Sequence, residues 1–303
     1  MPNLQTFFLK AIAASLNYFY MPFALSALCL EYFCLLYGGY NDASPPESRI
    51  RARGSAGPAA LVLLVGNSRA LWPRFLAACS AHLLAQPDPL NSYVEEAVEA
   101  AVDEAFGPLP PPAAHPRRIA WAHRPFEDVC FAPARFVAIQ RAASVSGLAH
   151  LDSSSCLCVH PRWGPWFALR ALVLLDGVRS EDVGLGEAPP APLPSPLSDE
   201  RAAAVRELMR GLLGNDSREE RPADEAATHK LPSSAPEAVP ALPPAPRPLP
   251  SSRQVRESWE AWAALRDALA PGHPERYPPD QLRYHYTGDV AFLARCVEGR
   301  ASG

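Results

Sequence analysis

An arginine interrupts a ten-residue apolar run, Trp166 to Leu175, that reads Trp-Phe-Ala-Leu-Arg-Ala-Leu-Val-Leu-Leu. A guanidinium in such a strand cannot stay unpaired, because burying an isolated charge is very costly. Arg170 therefore either opens onto a cavity that holds an anion or meets a carboxylate from elsewhere in the chain. Its planar fork suits the bidentate grip of carboxylates and phosphates. Just upstream lie Cys156, Cys158 and the dipeptide His160-Pro161. The Cys-x-Cys spacing points both thiols to one face of a strand. The chain has seven cysteines with no Cys-x-x-Cys pair, so buried structural thiols outweigh a redox or metal pair. His160 could act as a base or ligand, although a lone turn histidine is more often structural. Cys158 as a nucleophile would need a depressed pKa from a nearby cation.

Positioning these groups requires a framework. Cys156 to Val159 and Trp166 to Leu175 read as strands, joined by a turn over His160 to Pro165 with two prolines and a glycine, a strand–turn–strand hairpin. Ala59 to Val65 is a buried strand. Asn67 and Ser68 end it and can cap a helix to about Ala85, with Pro73 in its first turn. Asp88-Pro89 makes a turn, and Asn91 to Phe106 is a helix with Ser92 and Glu95 as a capping box. Arg118 to His123 is a strand, and Pro133 opens a helix through Phe136 to about Val145. Ser198 caps a helix that packs Ala202, Val205, Leu208, Met209 and Leu212. Order returns at Trp259 and Trp262, and a last apolar patch at Val290 to Leu293 is expected among segments that complete the sheet.

Composition bounds the rest. The net charge of −4 gives no general footprint for nucleic acid. The 35 prolines are clustered, so the folded part is shorter than the chain. The expected organisation is a hydrophobic N-terminal segment and linker over 1–57, a core built from 58–214 and 254–298, and a disordered Pro-rich insertion over 215–253. Ala11 to Leu30 carries no charge; a membrane anchor, a targeting segment, and a core helix followed by a strand all fit it. There is no Gly-rich phosphate loop, no Gly-x-Ser-x-Gly and no His-Glu-x-x-His. The residues alone imply an α+β domain with a charged strand position and a ligand cavity.

The run Cys158-Val159-His160-Pro161-Arg162-Trp163-Gly164, then Trp166-Phe167-Ala168-Leu169-Arg170, resembles the cobalamin-processing proteins of the methylmalonic aciduria and homocystinuria type C family. Leu61 to Leu76, Asp88-Pro89, Phe136 to Gly147, Ser198 to Leu213, and Trp259 to Tyr277 agree with that family in order. The resemblance implies an α+β, flavin-nitroreductase-like fold: an antiparallel sheet with flanking helices that binds base-off cobalamin. It implies removal of the upper axial ligand, by glutathione-dependent dealkylation or by reductive decyanation with FMN, FAD or glutathione as electron source. The hard chemistry then belongs to the cobalt, and a missing catalytic triad is expected. By the same resemblance, Phe136, Val137, Ala138, Ile139, Cys158 and Leu169 contact cobalamin, and Arg170 and Arg266 grip glutathione. It further implies a cytoplasmic protein, partnership with the type D cobalamin-trafficking protein, and room for a homodimer. A third family arginine falls at Val290, a family histidine at Ser144 and a family glycine at Cys156, and the connection before the hairpin is shortened to His150–Ser155. A non-catalytic cobalamin carrier and a flavin-dependent reductase of another substrate are the alternatives.

Overall fold

A computed structural model describes residues 30–51, 53, 57–106, 117–129, 135–179, 191–213 and 252–301. The expected insertion over 215–253 lies outside these residues except at its last two positions, as does the uncharged stretch before Leu30. Among the described residues, no helix is long and apolar enough to cross a membrane.

The protein is built on an antiparallel four-stranded sheet. Its strands are β1 (Leu30–Leu36), β2 (Ala60–Asn67), β3 (Arg117–Trp121) and a long β6 (Ala168–Arg179), in the order β1-β2-β6-β3. All eight residues of β2 are buried. The reason is that both faces of the sheet are covered, which also explains the continuous apolar runs of β2 and β6. Leu61, Leu63, Val65, Ala171, Val173 and Leu175 pack with Val94, Ala97, Val98 and Ala101 of helix α4 (Pro89–Phe106). Val62, Leu64, Leu172 and Leu174 face the other way. They meet Tyr40 of helix α1 (Tyr37–Ala43), Ile139, Ala142 and Ala143 of helix α5 (Ile139–Val145), and Cys158.

Local chemistry sets several boundaries differently from the sequence reading. Helix α4 begins one turn earlier than the Ser92–Glu95 pattern suggests. Pro89 takes the first helical position, and Asp88 Oδ1 accepts from the Asn91 N–H at 3.0 Å, the stronger N-terminal signal. The expected helix to Ala85 is split into α2 (Leu71–Ala78) and the short α3 (Ala81–Leu84). Ser80 causes the break by capping α3, accepting from Leu83 N–H at 3.2 Å. Phe136 to Ala138 precede helix α5 and are not part of it. Helix α6 (Asp199–Leu212) starts as expected, with Ser198 accepting from the Arg201 N–H. Its Val205 is fully buried, whereas Leu208 stays exposed.

The largest correction concerns the hairpin. β5 (Leu157–Val159) does not pair with β6 but with β4 (His150–Asp152), forming a separate two-stranded sheet. Between β5 and β6 the chain makes a tight loop. His160 and Gly164 exchange both backbone hydrogen bonds at 2.8 Å, and Gly164 takes a φ of 54°, which glycine adopts without cost. Pro165 then offers no N–H, and Trp166 bonds back to the Trp163 carbonyl, so the ladder cannot run on. The segments after residue 252 also depart from expectation. They add no strand among the described residues, but helices α7 (Ser252–Glu257), α8 (Trp259–Leu269), α9 (Pro279–Thr287) and α10 (Val290–Ala301).

The loop carries its own pH sensitivity. His160 Nδ1 accepts from the N–H groups of Arg162 and Trp163 at 2.9 and 3.2 Å, and the ring stacks on Trp163. Burial, with Arg162 adding to it, lowers the imidazole to about 4. The unfolded chain takes up this proton near the ordinary value of about 6.5, so it binds more protons than the folded state below that pH. Stability is therefore complete above about pH 6.5 and declines on acidification toward pH 4. We expect the melting temperature to fall across this window. His160→Asn, whose side-chain oxygen can accept the same two N–H bonds without titrating, should flatten that fall in a pH series of thermal melts.

Candidate functional site

Two of the strand arginines, Arg118 and Arg170, meet opposite fates. Arg118 on β3 is clasped by Asp176 in a bidentate pair, Nε to Oδ2 at 2.7 Å and Nη2 to Oδ1 at 2.6 Å. Asp128 adds a further contact at 3.2 Å. Arg170 has no carboxylate within ion-pair distance among the described residues. Its Nε donates to Asn67 Oδ1 at 2.6 Å and its Nη1 to Asn91 Oδ1 at 3.2 Å. Both partners are neutral amides, so the charge remains, and burial lowers its pKa.

A β-bulge aims this side chain. Val65 pairs with Ala171 and Gly66 with Leu169, leaving Arg170 as the extra residue. In strict alternation Arg170 would share the face of Leu172 and Leu174. The bulge re-aims it, and its guanidinium reaches Asn91 on α4, the helix that covers the opposite face. Gly66 permits the bulge because a Cβ there would lie 2.8 Å from the Ala168 carbonyl oxygen. The sequence reading used neither Gly66 nor Asn67 as site residues. A glycine inside an apolar strand was the available signal, since it marks bulges and close backbone approach.

Arg170 lines a cavity of about 410 Å³. Of the residues carried over from the resemblance, Phe136, Val137, Ile139, Cys158, Leu169, Arg170 and Arg266 all line it. Ala138 does not. Its N–H donates to the hydroxyl of buried Tyr40 at 2.9 Å, which holds the Phe136–Ile139 segment against the core. Phe136 is 54% exposed, and with exposed Gln140 and Cys156 it marks the mouth. Pro165, Phe167 and Ala168 continue the apolar wall.

The charge in the cavity is positive. Arg266 of α8 donates from Nη1 to the Pro165 carbonyl at 2.7 Å, and its Nε is buried without a partner. Its sequence neighbour Asp267 does not neutralise it, because that carboxylate forms a bidentate pair with Arg276 at 2.7 and 2.9 Å. No Asp or Glu lines the cavity. His285 of α9 does line it, and the sequence reading missed this residue because it stands among surface-like polar residues. Burial first, then Arg266 and Arg170, hold its pKa well below the ordinary value, so the ring is neutral. Among the described residues there is no group of three His, Cys, Asp or Glu side chains placed to hold a metal ion.

The two thiols differ. Cys158 is buried, its Sγ lies 3.6 Å from the Gln140 carbonyl, and burial pushes its pKa up to about 12. A nucleophilic Cys158 needs the opposite shift. Cys156 is not a second buried thiol on the same strand face. It is exposed and precedes β5 with a φ of 56°, a conformation costly for a residue with a Cβ.

Two tests follow from this geometry. Gly66→Ala should cost about 1–3 kcal/mol through overpacking in urea unfolding, and should displace Arg170 so that affinity for a cavity ligand falls with it. Brief alkylation of the native protein at pH 8 should modify Cys156 and spare Cys158 by peptide mass mapping; equal labelling would contradict the buried, protonated state of Cys158.

No protein-family model matches the chain, and no curated protein sequence matches it. Among solved structures it is similar to a B12-trafficking protein from C. elegans, CblC, described as a human MMACHC homologue. The alignment covers 96% of each chain at a TM-score of 0.55 and 12% identity. At that identity the likeness shows the fold: this chain shares the α+β architecture of that protein, with antiparallel sheets and flanking helices.

Proposed function

We propose that the cavity binds base-off cobalamin and that the protein removes its upper axial ligand, by glutathione-dependent dealkylation and by reductive decyanation. One observation carries this reading. Seven separately expected contact residues, from the 136–139 segment, β5, β6 and α8, line one cavity whose charged side chains are two arginines without carboxylate partners. The fold likeness to a B12-trafficking protein supports it.

The chemistry follows from the lining. Phe136, Val137, Ile139, Phe167 and Leu169 offer an apolar wall to the corrin, and exposed Phe136 would be covered by it. A cavity of about 410 Å³ takes the tripeptide and one face of the ring, with the rest of the corrinoid at the mouth. Arg170 and Arg266 would each take a carboxylate of glutathione by charge-assisted hydrogen bonds. That brings the thiol to the alkyl carbon and turns a bimolecular encounter into a positioned one. Cys158, held as a thiol, does not compete with glutathione for the alkyl group. The same reading assigns the protein to intracellular cobalamin handling, where the type D trafficking protein is the partner to test.

Mixing the protein anaerobically with methylcobalamin and glutathione should give the cob(I)alamin spectrum. Arg170→Gln should lower glutathione-dependent kcat/KM by about 10- to 100-fold, the loss of a hydrogen bond to a charged group, while leaving cobalamin binding intact. Dealkylation by that variant at the parent rate would refute the role of Arg170. A protein that leaves the cobalamin spectrum unchanged at all concentrations would refute the function.

A further inference from the structure

His285 belongs to two cavities at once. Besides the large one, it lines a small cavity of about 10 Å³ with Asn67, Arg170, Tyr277, Gln281 and Tyr284, room for about one water. Its ring nitrogens make no hydrogen bond among the described residues. The ring is held edge-on by Tyr277 and Tyr286, with centroids 5.6 and 5.3 Å away. Next to it, Gln281 Oε1 is buried without a partner, and the Tyr277 hydroxyl is buried beside the Arg266 guanidinium. A neutral imidazole set between a buried amide oxygen without a partner and a buried phenol is unusual for a structural site. It is what a proton-transfer site needs, with one face toward a substrate and another toward a relay.

We propose that His285 is the base that takes the proton from the substrate thiol in the dealkylation. This rests on the function proposed above and adds a residue to it. The imidazole nitrogen accepts the S–H proton, and the thiolate attacks the alkyl carbon. The S–C bond forms as the Co–C bond breaks, both electrons of that bond remain on cobalt, and the proton stays on the imidazole until the products leave. Gln281 Oε1, directly or through one water, is an acceptor for the imidazolium. The groups facing His285 are Arg170 from β6, Arg266 from α8, Tyr277 from the α8–α9 loop, and Tyr284 and Tyr286 from its own helix; no carboxylate lines either cavity. In the ligand-free protein burial, and after it the two arginines, keep the ring neutral, the form a base requires. When the carboxylates of glutathione neutralise them, the ring becomes more basic as the thiol arrives.

His285→Phe keeps the aromatic contacts and removes the base. It should bind methylcobalamin with the parent's affinity and spectrum, yet lower glutathione-dependent kcat at pH 7 by about 100-fold with little change in KM. The deficit should shrink by about tenfold per pH unit as the free thiol ionises toward its own pKa of about 8.5. A deficit constant with pH, an unchanged rate, or a lost cobalamin spectrum in the variant would each overturn the assignment while the parent's activity stands. If His285→Phe fails to fold, His285→Gln is subject to the same profile. A parent without dealkylation activity overturns the function, and this role with it.

Discussion

The site depends on a buried cation that its own fold leaves unneutralised. Arg170 sits in an inner strand of the sheet, and among the described residues its guanidinium bonds to the amide oxygens of Asn67 and Asn91. Bringing a charge out of water costs several kcal/mol even after relaxation, and neutral amides return only part of it. The fold accepts that cost at one bulge and avoids it at Arg118, where two carboxylates converge. The contrast separates a structural arginine from one reserved for an incoming anion. Asp267, which could have neutralised Arg266, is engaged by Arg276. Arg266 is thus kept available by a pairing elsewhere, and Arg170 by partners that carry no charge.

The rest of the architecture serves this placement. β2 is buried at every position and pairs along its length with β1 on one side and β6 on the other. That register fixes the bulge at Gly66, and the bulge fixes Arg170. Tyr40, anchored beside the edge strand β1, holds the 136–139 segment through its hydroxyl. The C-terminal helices contribute Arg266 and His285 and close the cavity over β6.

Much of this was legible in the sequence where local chemistry is self-contained. The buried strand expected over Ala59 to Val65 and found at Ala60–Asn67, the helix after Ser198 and the misfit of Arg170 all follow from apolar runs, a cap and a charge. The hairpin was misread because a Pro-Gly-Pro turn between two apolar runs predicts a reversal but not the partner of each run. β5 pairs instead with β4, which forms within the shortened connection His150–Ser155. The sheet-completing role given to the C-terminal segments failed for a related reason: Trp259 to Leu269 satisfies a helical period as well as a buried strand. His285 left no signal, since its neighbours become a site only when α9 packs against β6. Seven of the residues named by the resemblance line one cavity, whereas Ala138 packs against the core.

The central claim is that this cavity takes a corrinoid with Arg170 at its reacting face. Titration of the protein with cobalamin, followed by absorbance, tests it most directly when run on the parent and on Leu169→Trp, which fills the wall beside Arg170. The account predicts a saturable base-off spectrum for the parent and a substantial loss of affinity in the variant, with the fold retained by circular dichroism. A base-off spectrum of equal affinity in both proteins would place the corrinoid elsewhere and contradict it.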